Sequence, residues 1–398
     1  MSQQQLVDMA KRNLAHVKAG TVDQAPGIYQ VPAANYYDPA RWQLEIDRIF
    51  RRLPLVLAFS FELAKPGDYC AIQVAGIPVL LTRTSDGSVG AFLNVCSHRG
   101  SIVVTEGAGN AKRFTCPYHA WSYDSDGQLV GITNEKDFGE IDRSCLGLTP
   151  LPVAERAGLV FGVLDPNSPV DFDAFLTGYD DLLVHHEFET CSLVGRQSVE
   201  GPNWKIAYDG YLDFYHLPIL HRESFGTKIS SDALYDAWGP HQRVSMPNPA
   251  LRDLEEKPEG EWDTEELISG IWTIFPHVSI AEFDAGGKFY MVSQLFPGAT
   301  PDESITVQNF LLPGSADEHD PERRKQVEKM MAFLLEVVRD EDYYTGKRIQ
   351  QALKSGAKEA CLFGRNEGGG QRFHRWVDAL VQADDDALPE LLRSGIGE

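Results

Sequence analysis

A thiol and an imidazole stand two residues apart in "NVCSHRG", residues 94–100, and "CPYHAW", residues 116–121, nearly repeats the pair. Cys96, His98, Cys116 and His119 are therefore four metal-ligating side chains carried by two loops. Zinc is the plainest metal for such a set, but zinc fingers usually place two cysteines in one loop and two histidines in another. Here each loop carries one of each. That division suits a 2Fe-2S cluster whose two thiolates hold one iron while two neutral imidazoles hold the other and raise its potential. Pro117 and Gly100 fit tight loops rather than strand interiors.

A second set lies in "DFYHLPILH", residues 213–221, which offers Asp213, His216 and His221. On a regular helix Asp213 and His216 share a face, whereas His216 and His221 diverge. Pro218 lies between them and is expected to break or bend the helix, so that the imidazoles converge. Two histidines and one carboxylate form the facial set of a non-heme Fe(II), with coordination positions left open for dioxygen. The carboxylate must come from elsewhere in the chain. Met331, Leu335, Val338, Thr345, Ile349 and Leu353 follow a helical period, and Asp342 falls on that stripe, where a carboxylate needs a partner. Asp340 and Glu341 lie off the stripe and read as solvated charges.

The elements that must position these side chains change character along the chain. From "GDYCAIQVAGIPVLL" to "AGLVFGVLD", short β-branched runs alternate with Gly and Asp turns, as in an all-β module. "DPNSPVDFD", residues 165–173, has the composition of a linker. Beyond it, "IWTIFPHVSIAEF", "FYMVSQLFP" and "ITVQNFLLP" read as antiparallel strands, and a long helix is expected from Pro321 to Gly356, giving an α+β domain. With 398 residues, 43% hydrophobic, the chain can bury a large core and divides into about two domains. Its 36 Lys+Arg against 58 Asp+Glu give a net charge of −22, which disfavours nucleic acid and anionic membrane surfaces as partners. No apolar run suits a membrane span and no secretion signal is visible, so a cytoplasmic location is expected. Cys70, Cys145, Cys191 and Cys361 read as small core residues in a reducing compartment.

"CSHRG" with "CPYHAW" resembles the signature of the Rieske non-heme iron oxygenases, specifically the large (alpha) catalytic subunit of aromatic-ring-hydroxylating dioxygenases. "PARWQLEIDRIFRRL" and "KPGDYCAIQVAGIPVLLTR" resemble the family's approach to the cluster, and "GPNWKIAYDGYLDFYHLPILH" resembles its iron motif. The resemblance implies an N-terminal helical segment (1–45) packed on the catalytic domain, a Rieske 2Fe-2S domain (46–167) and a helix-grip, START-like catalytic domain (168–398). It assigns Cys96, His98, Cys116 and His119 to the cluster and His216, His221 and Asp342 to one mononuclear Fe(II). The family's carboxylate ligand lies in "ED" followed by Gln, here Glu341-Asp342 and Gln350. Asp213 would bridge a cluster histidine to His216 across a subunit boundary in a ring of three. With no flavin or nicotinamide motif in the chain, electrons from NAD(P)H should arrive only through a separate reductase or ferredoxin, and a small β subunit is a further possible partner.

The expected reaction is cis-dihydroxylation of a small aromatic substrate by dioxygen. The alternatives are monooxygenation, such as O- or N-demethylation, and a Rieske electron carrier without catalysis. Iron content separates the last: about three irons per chain for an oxygenase and about two for a carrier. Asp209-Gly210 stands where many relatives have Glu-Asn. Asp213, where some relatives acting on quaternary ammonium compounds carry Glu, favours the aromatic class. Tyr208, Phe214, Leu217, Phe275 and Tyr290 are expected to line a largely apolar cavity. His185-His186 reads as a solvated pair, and His277 as either a substrate contact or a core histidine. His374 and Trp376 fit an amphipathic closing helix, and "GRNEGGGQRF" a flexible loop.

Overall fold

The β-branched runs between Leu55 and Gly162 fold into three antiparallel sheets in a computed structural model that describes residues 2–397. One has four strands in the order Val89–Leu93, Ile77–Arg83, Asp68–Val74, Gly107–Asn110. A second pairs Val153–Arg156, Leu159–Gly162 and Leu55–Phe59. The third, Phe114–Thr115, Ser122–Tyr123 and Leu129–Gly131, consists of very short strands, so its loops rather than its ladder set its shape. It shares a small core with the four-stranded sheet, Phe114, Tyr123 and Leu129 packing in one cluster with Ala71, Leu80 and Phe92.

The second half is built on a seven-stranded antiparallel sheet ordered Cys191–Gly201, Ser304–Pro313, Lys288–Pro297, Val278–Asp284, Ile271–Ile274, His241–Ser245, Leu234–Trp238. The sheet is covered on both faces, which explains why every residue of His241–Ser245 is buried. One face meets the strands of the first half: the Val56 N–H donates to His277 Nε2 and its carbonyl accepts from Gln294. The other face is roofed by the helices Trp204–Leu212, Pro321–Leu353 and Gly368–Gln382. The all-β module followed by an α+β domain is as expected from sequence. His277 is a core histidine at the domain junction, and burial lowers its pKa to about 3.

Helix ends follow their sequence signals. Asn203 caps the Trp204 helix by accepting from the Lys205 N–H, and Asp320 caps the next one ahead of Pro321. The segment before residue 46 lies on the catalytic half. Tyr29–Pro32 pairs with Ala360–Phe363, and Glu45 forms an ion pair of 2.5 Å with Lys205, both side chains fully buried.

The Pro321–Gly356 helix departs from the expected regular rod. It is α-helical over Pro321–Val337, widens to a π-helical turn over Val338–Tyr343 and resumes over Tyr344–Leu353. A π turn inserts an extra residue and shifts the helix phase. The buried positions are consequently Val327, Leu334 and Val337 before it, Tyr343 at its end and Gly346, Gln350 and Leu353 after it, while Ile349, placed on the expected stripe, is 43% exposed. Nor is "GRNEGGGQRF" a flexible loop. Gly368–Gly370 open the last long helix because a Cβ at Gly369 would stand 2.6 Å from Tyr235 and one at Gly370 2.7 Å from Phe363.

Candidate metal centres

The two cluster loops are built alike. Cys96 N–H donates to the Ser101 carbonyl and Gly100 N–H to the Cys96 carbonyl; Cys116 N–H donates to Trp121 and Ala120 N–H to Cys116 in the same pattern. Each loop turns through a left-handed residue, Gly100 at φ 77° and Ala120 at φ 58°. The thiols are 3% and 2% exposed, and the rings of His98 and His119 lie 4.6 Å apart between centroids. His98 also stacks on Trp121 at 4.8 Å, which fixes its plane. The Cys96 sulfur contacts the Tyr123 hydroxyl at 3.3 Å. Burial raises the Cys116 pKa, but the Tyr118 and His119 N–H groups and the Cys96 and Ser101 side chains outweigh it, and the net shift is downward. The His119 pKa is also lowered, by burial and by His98 and Arg99. Both shifts run toward the thiolate and the neutral imidazole, the forms in which cysteine and histidine ligate iron. His98 Nδ1, buried without a hydrogen-bond partner, is the polar atom such a ligand would satisfy.

The second centre draws on distant segments. The Trp204 helix ends at Leu212, so Asp213 and His216 sit in the turn beyond it and not on a common helix. Pro218 does not break a helix but starts one: Leu217–Leu220 is a single turn with Pro at its N-terminal end, where its missing N–H has no role. His216 and His221 flank that turn, their rings 5.1 Å apart. Both point Nε2 at the same Asp342 oxygen, at 3.5 and 3.3 Å. One donor atom from each of His216, His221 and Asp342 lies within 4.8 Å of the others. Burial acts to lower the His216 pKa, yet Asp213 and Asp342 outweigh it and lift it to about 9. Burial acts to raise the Asp342 pKa, but the two histidines more than offset it and hold it low. A divalent cation would take the place of the shared protons.

Both imidazoles are also held from behind. His216 Nδ1 meets Asp213 at 3.2 Å, and His221 Nδ1 meets Glu341 at 2.6 Å, with Ser224 donating to the same Glu341 oxygen at 2.9 Å. Glu341 is thus not a solvated charge. It was missed because its place on the helix was judged without the π turn; the signal available was its adjacency to Asp342.

Several other expectations are corrected. His186 is no solvated residue: it is 3% exposed, packed against Phe188, Trp272 and Tyr290. Tyr290 shares that packing, on the sheet face away from the triad, so it does not line the cavity with Tyr208. Cys145 is exposed and Cys361 only partly buried. As expected, His374 and Trp376 lie in the closing helix, where both are buried, and His374 Nε2 meets Asp209 at 2.9 Å, with Tyr36 contacting both. Two clefts, of about 550 and about 640 Å³, are lined by none of the triad residues.

Comparisons with known proteins agree with this division. Residues 54–147 match the Rieske [2Fe-2S] domain, and residues 188–383 match the ring hydroxylating alpha subunit (catalytic domain). The glycine betaine monooxygenase oxygenase subunit of Chromohalobacter salexigens is 30% identical over 259 residues, 64% of this chain and 56% of that protein. The carnitine monooxygenase oxygenase subunit of Escherichia coli is 28% identical over 330 residues, 82% and 85% of the two chains. Chlorobenzene dioxygenase subunit alpha from a Cupriavidus species is 38% identical, but the chain spans only 42% of it and the match covers 46% of this chain. In fold, the chain is similar to a quaternary ammonium Rieske monooxygenase (TM-score 0.72, 22% identity, 89% of this chain and 96% of the other). It is equally similar to naphthalene 1,2-dioxygenase from Rhodococcus (TM-score 0.73, 22% identity, 96% and 100%). With a cluster domain and a ring-hydroxylating catalytic domain joined in one polypeptide, the chain belongs to the Rieske non-heme iron oxygenases, among their large subunits.

Proposed function

We propose that this chain is the terminal component of a multicomponent oxygenase that monooxygenates a small organic substrate. The observation that carries it is the arrangement of the two imidazoles: each turns Nε2 toward Asp342 and is held at Nδ1 by a further carboxylate, Asp213 or Glu341. Outer carboxylates of this kind fix the tautomer and orientation of a ligating histidine. His216, His221 and Asp342 would hold Fe(II), and Cys96, His98, Cys116 and His119 the cluster; together these groups supply one-electron transfer and dioxygen activation. Asp213 would keep the His216 ring in register and provide the contact through which electrons enter from a neighbouring cluster. Glu341 and Ser224 would hold His221. Tyr215 and Ile219, 62% and 79% exposed beside Asp213, and Tyr118 and Ile102, 55% and 43% exposed beside the cluster, suit a head-to-tail ring in which one subunit's cluster end meets the next subunit's iron end. A separate reductase or ferredoxin would feed the cluster.

Monooxygenation is favoured over cis-dihydroxylation because the relative aligned in sequence over 82% and 85% of the two chains is a carnitine monooxygenase oxygenase subunit. The dioxygenase reading keeps support from the shorter stretch of higher identity. Turnover in ¹⁸O₂ with any substrate that stimulates oxygen uptake decides between them. One labelled atom per product is expected; two would establish dihydroxylation.

A further inference from the structure

The catalytic sheet shows two different faces. Directly opposed residues on neighbouring antiparallel strands share a face. From strand to strand the register runs Gln242 to Thr273, Thr273 to Ser279, Ser279 to Ser293, Ser293 to Gln308 and Gln308 to Gln197. Six neutral hydrogen-bonding side chains thus cross the sheet in one unbroken row, on the face roofed by the Trp204 helix and the π turn. Thr306, on the same face, meets the Tyr343 hydroxyl at 2.5 Å, next to Asp342, and Tyr211 reaches toward Tyr343, Thr306 and Ser293.

The ends of the row are tied to the protein. Gln197 donates to Gln308 and to the Met331 carbonyl, both at 2.8 Å, and Gln242 donates to the Gly369 carbonyl at 3.1 Å. The serines between them are not tied to any backbone carbonyl, although Ser279 is 4% and Ser293 2% exposed. The Tyr208 hydroxyl lies above Thr273, and Gln242 Oε1 is buried without a hydrogen-bond partner. Buried polar groups are normally paired, so a wall of this kind calls for a polar occupant. Arg196, Arg243 and Lys288 lie on the opposite face by the same register, and no described strand residue on the row's face is charged.

Taking the oxygenase assignment as given, we propose that this row is the specificity wall of the active site and that the substrate is an uncharged molecule carrying hydroxyl or carbonyl oxygens. A hydrocarbon would offer no partner to Ser279 or to Gln242 Oε1. A quaternary ammonium zwitterion would bring a carboxylate to a face that offers it no cation. The oxygen functions of the substrate lie against Ser279, Ser293 and Tyr211, which holds the carbon to be oxidised toward the His216, His221 and Asp342 end.

The test titrates anaerobic holoenzyme calorimetrically with indanol, indanone, their parent hydrocarbon indane, and glycine betaine. Indanol or indanone is expected to bind at least about 10-fold tighter than indane, the worth of roughly one neutral hydrogen bond, with no detectable binding of glycine betaine. The double variant Ser279→Ala, Ser293→Ala should erase that preference while leaving indane affinity and the cluster spectrum unchanged, the spectrum serving as the check on folding. Equal or tighter binding of indane, tight binding of glycine betaine, binding of none of the four, or an unaltered preference in the double variant overturns the proposal. Oxygen uptake on adding electrons and dioxygen separates this outcome from the assignment beneath it. Uptake stimulated by indane or glycine betaine removes the wall and keeps the oxygenase, whereas a bound probe that never stimulates uptake removes the oxygenase.

Discussion

The cluster site and the triad site solve the same problem by different means. All four proposed cluster ligands fall between Cys96 and His119, in two loops with matching hydrogen bonds and one left-handed residue each. Turn chemistry alone nearly specifies them. The triad instead joins a one-turn helix to a π turn far along the chain, with 120 residues separating His221 from Glu341. Its geometry depends on the sheet, the roof helices and the phase of one long helix. A local site can be damaged without disturbing the domain beside it. A site assembled over distance is more sensitive to the side chains that orient its ligands.

Single substitutions should affect the two sites differently. The largest effect is expected from His98→Ala, which should abolish the rhombic reduced spectrum and all turnover while the triad still takes up iron; zinc in stoichiometric amount, with no visible absorption in the unmodified protein, would contradict the cluster assignment. Asp342→Ala should also end turnover, by loss of the mononuclear iron, but with the cluster spectrum intact. Asp213→Asn keeps size and removes charge. Both metals should remain and turnover should fall by about 100-fold, at the upper end for a group that orients a ligand. Stopped-flow reoxidation of the cluster should be correspondingly slow, and unmodified speed would leave Asp213 a structural residue. Glu341→Gln should cost least, about 10-fold in iron affinity measured by chelator competition, because Ser224 still contacts the same side chain.

The same contrast explains what could be read from sequence. The cluster loops were legible because Cys and His are rare and their spacing is local. His216, His221 and Asp342 were nominated by pattern and resemblance, yet the apolar stripe that pointed to Asp342 was misplaced by the π turn, and Glu341 was discarded for the same cause. The polar row was invisible for a different reason. Thr273 and Ser279 stand between apolar neighbours along their strands, which ordinarily marks a solvent face, and Ser293 and Gln308 sit in polar pairs with Gln294 and Asn309 that give no clear period. Here that face is roofed by helices, so the polar row lies in the interior. His186 was misjudged because the acidic residues around it suggested solvent, while the ring itself turns inward onto Trp272 and Tyr290.

Paired iron and acid-labile sulfide analysis of the unmodified protein and Asp342→Ala decides whether one chain holds two independent metal centres. The unmodified chain should hold about three irons and two sulfides, and Asp342→Ala about two irons and two sulfides. Sulfide falling together with iron in Asp342→Ala, or iron unchanged in that variant, would contradict two independent centres.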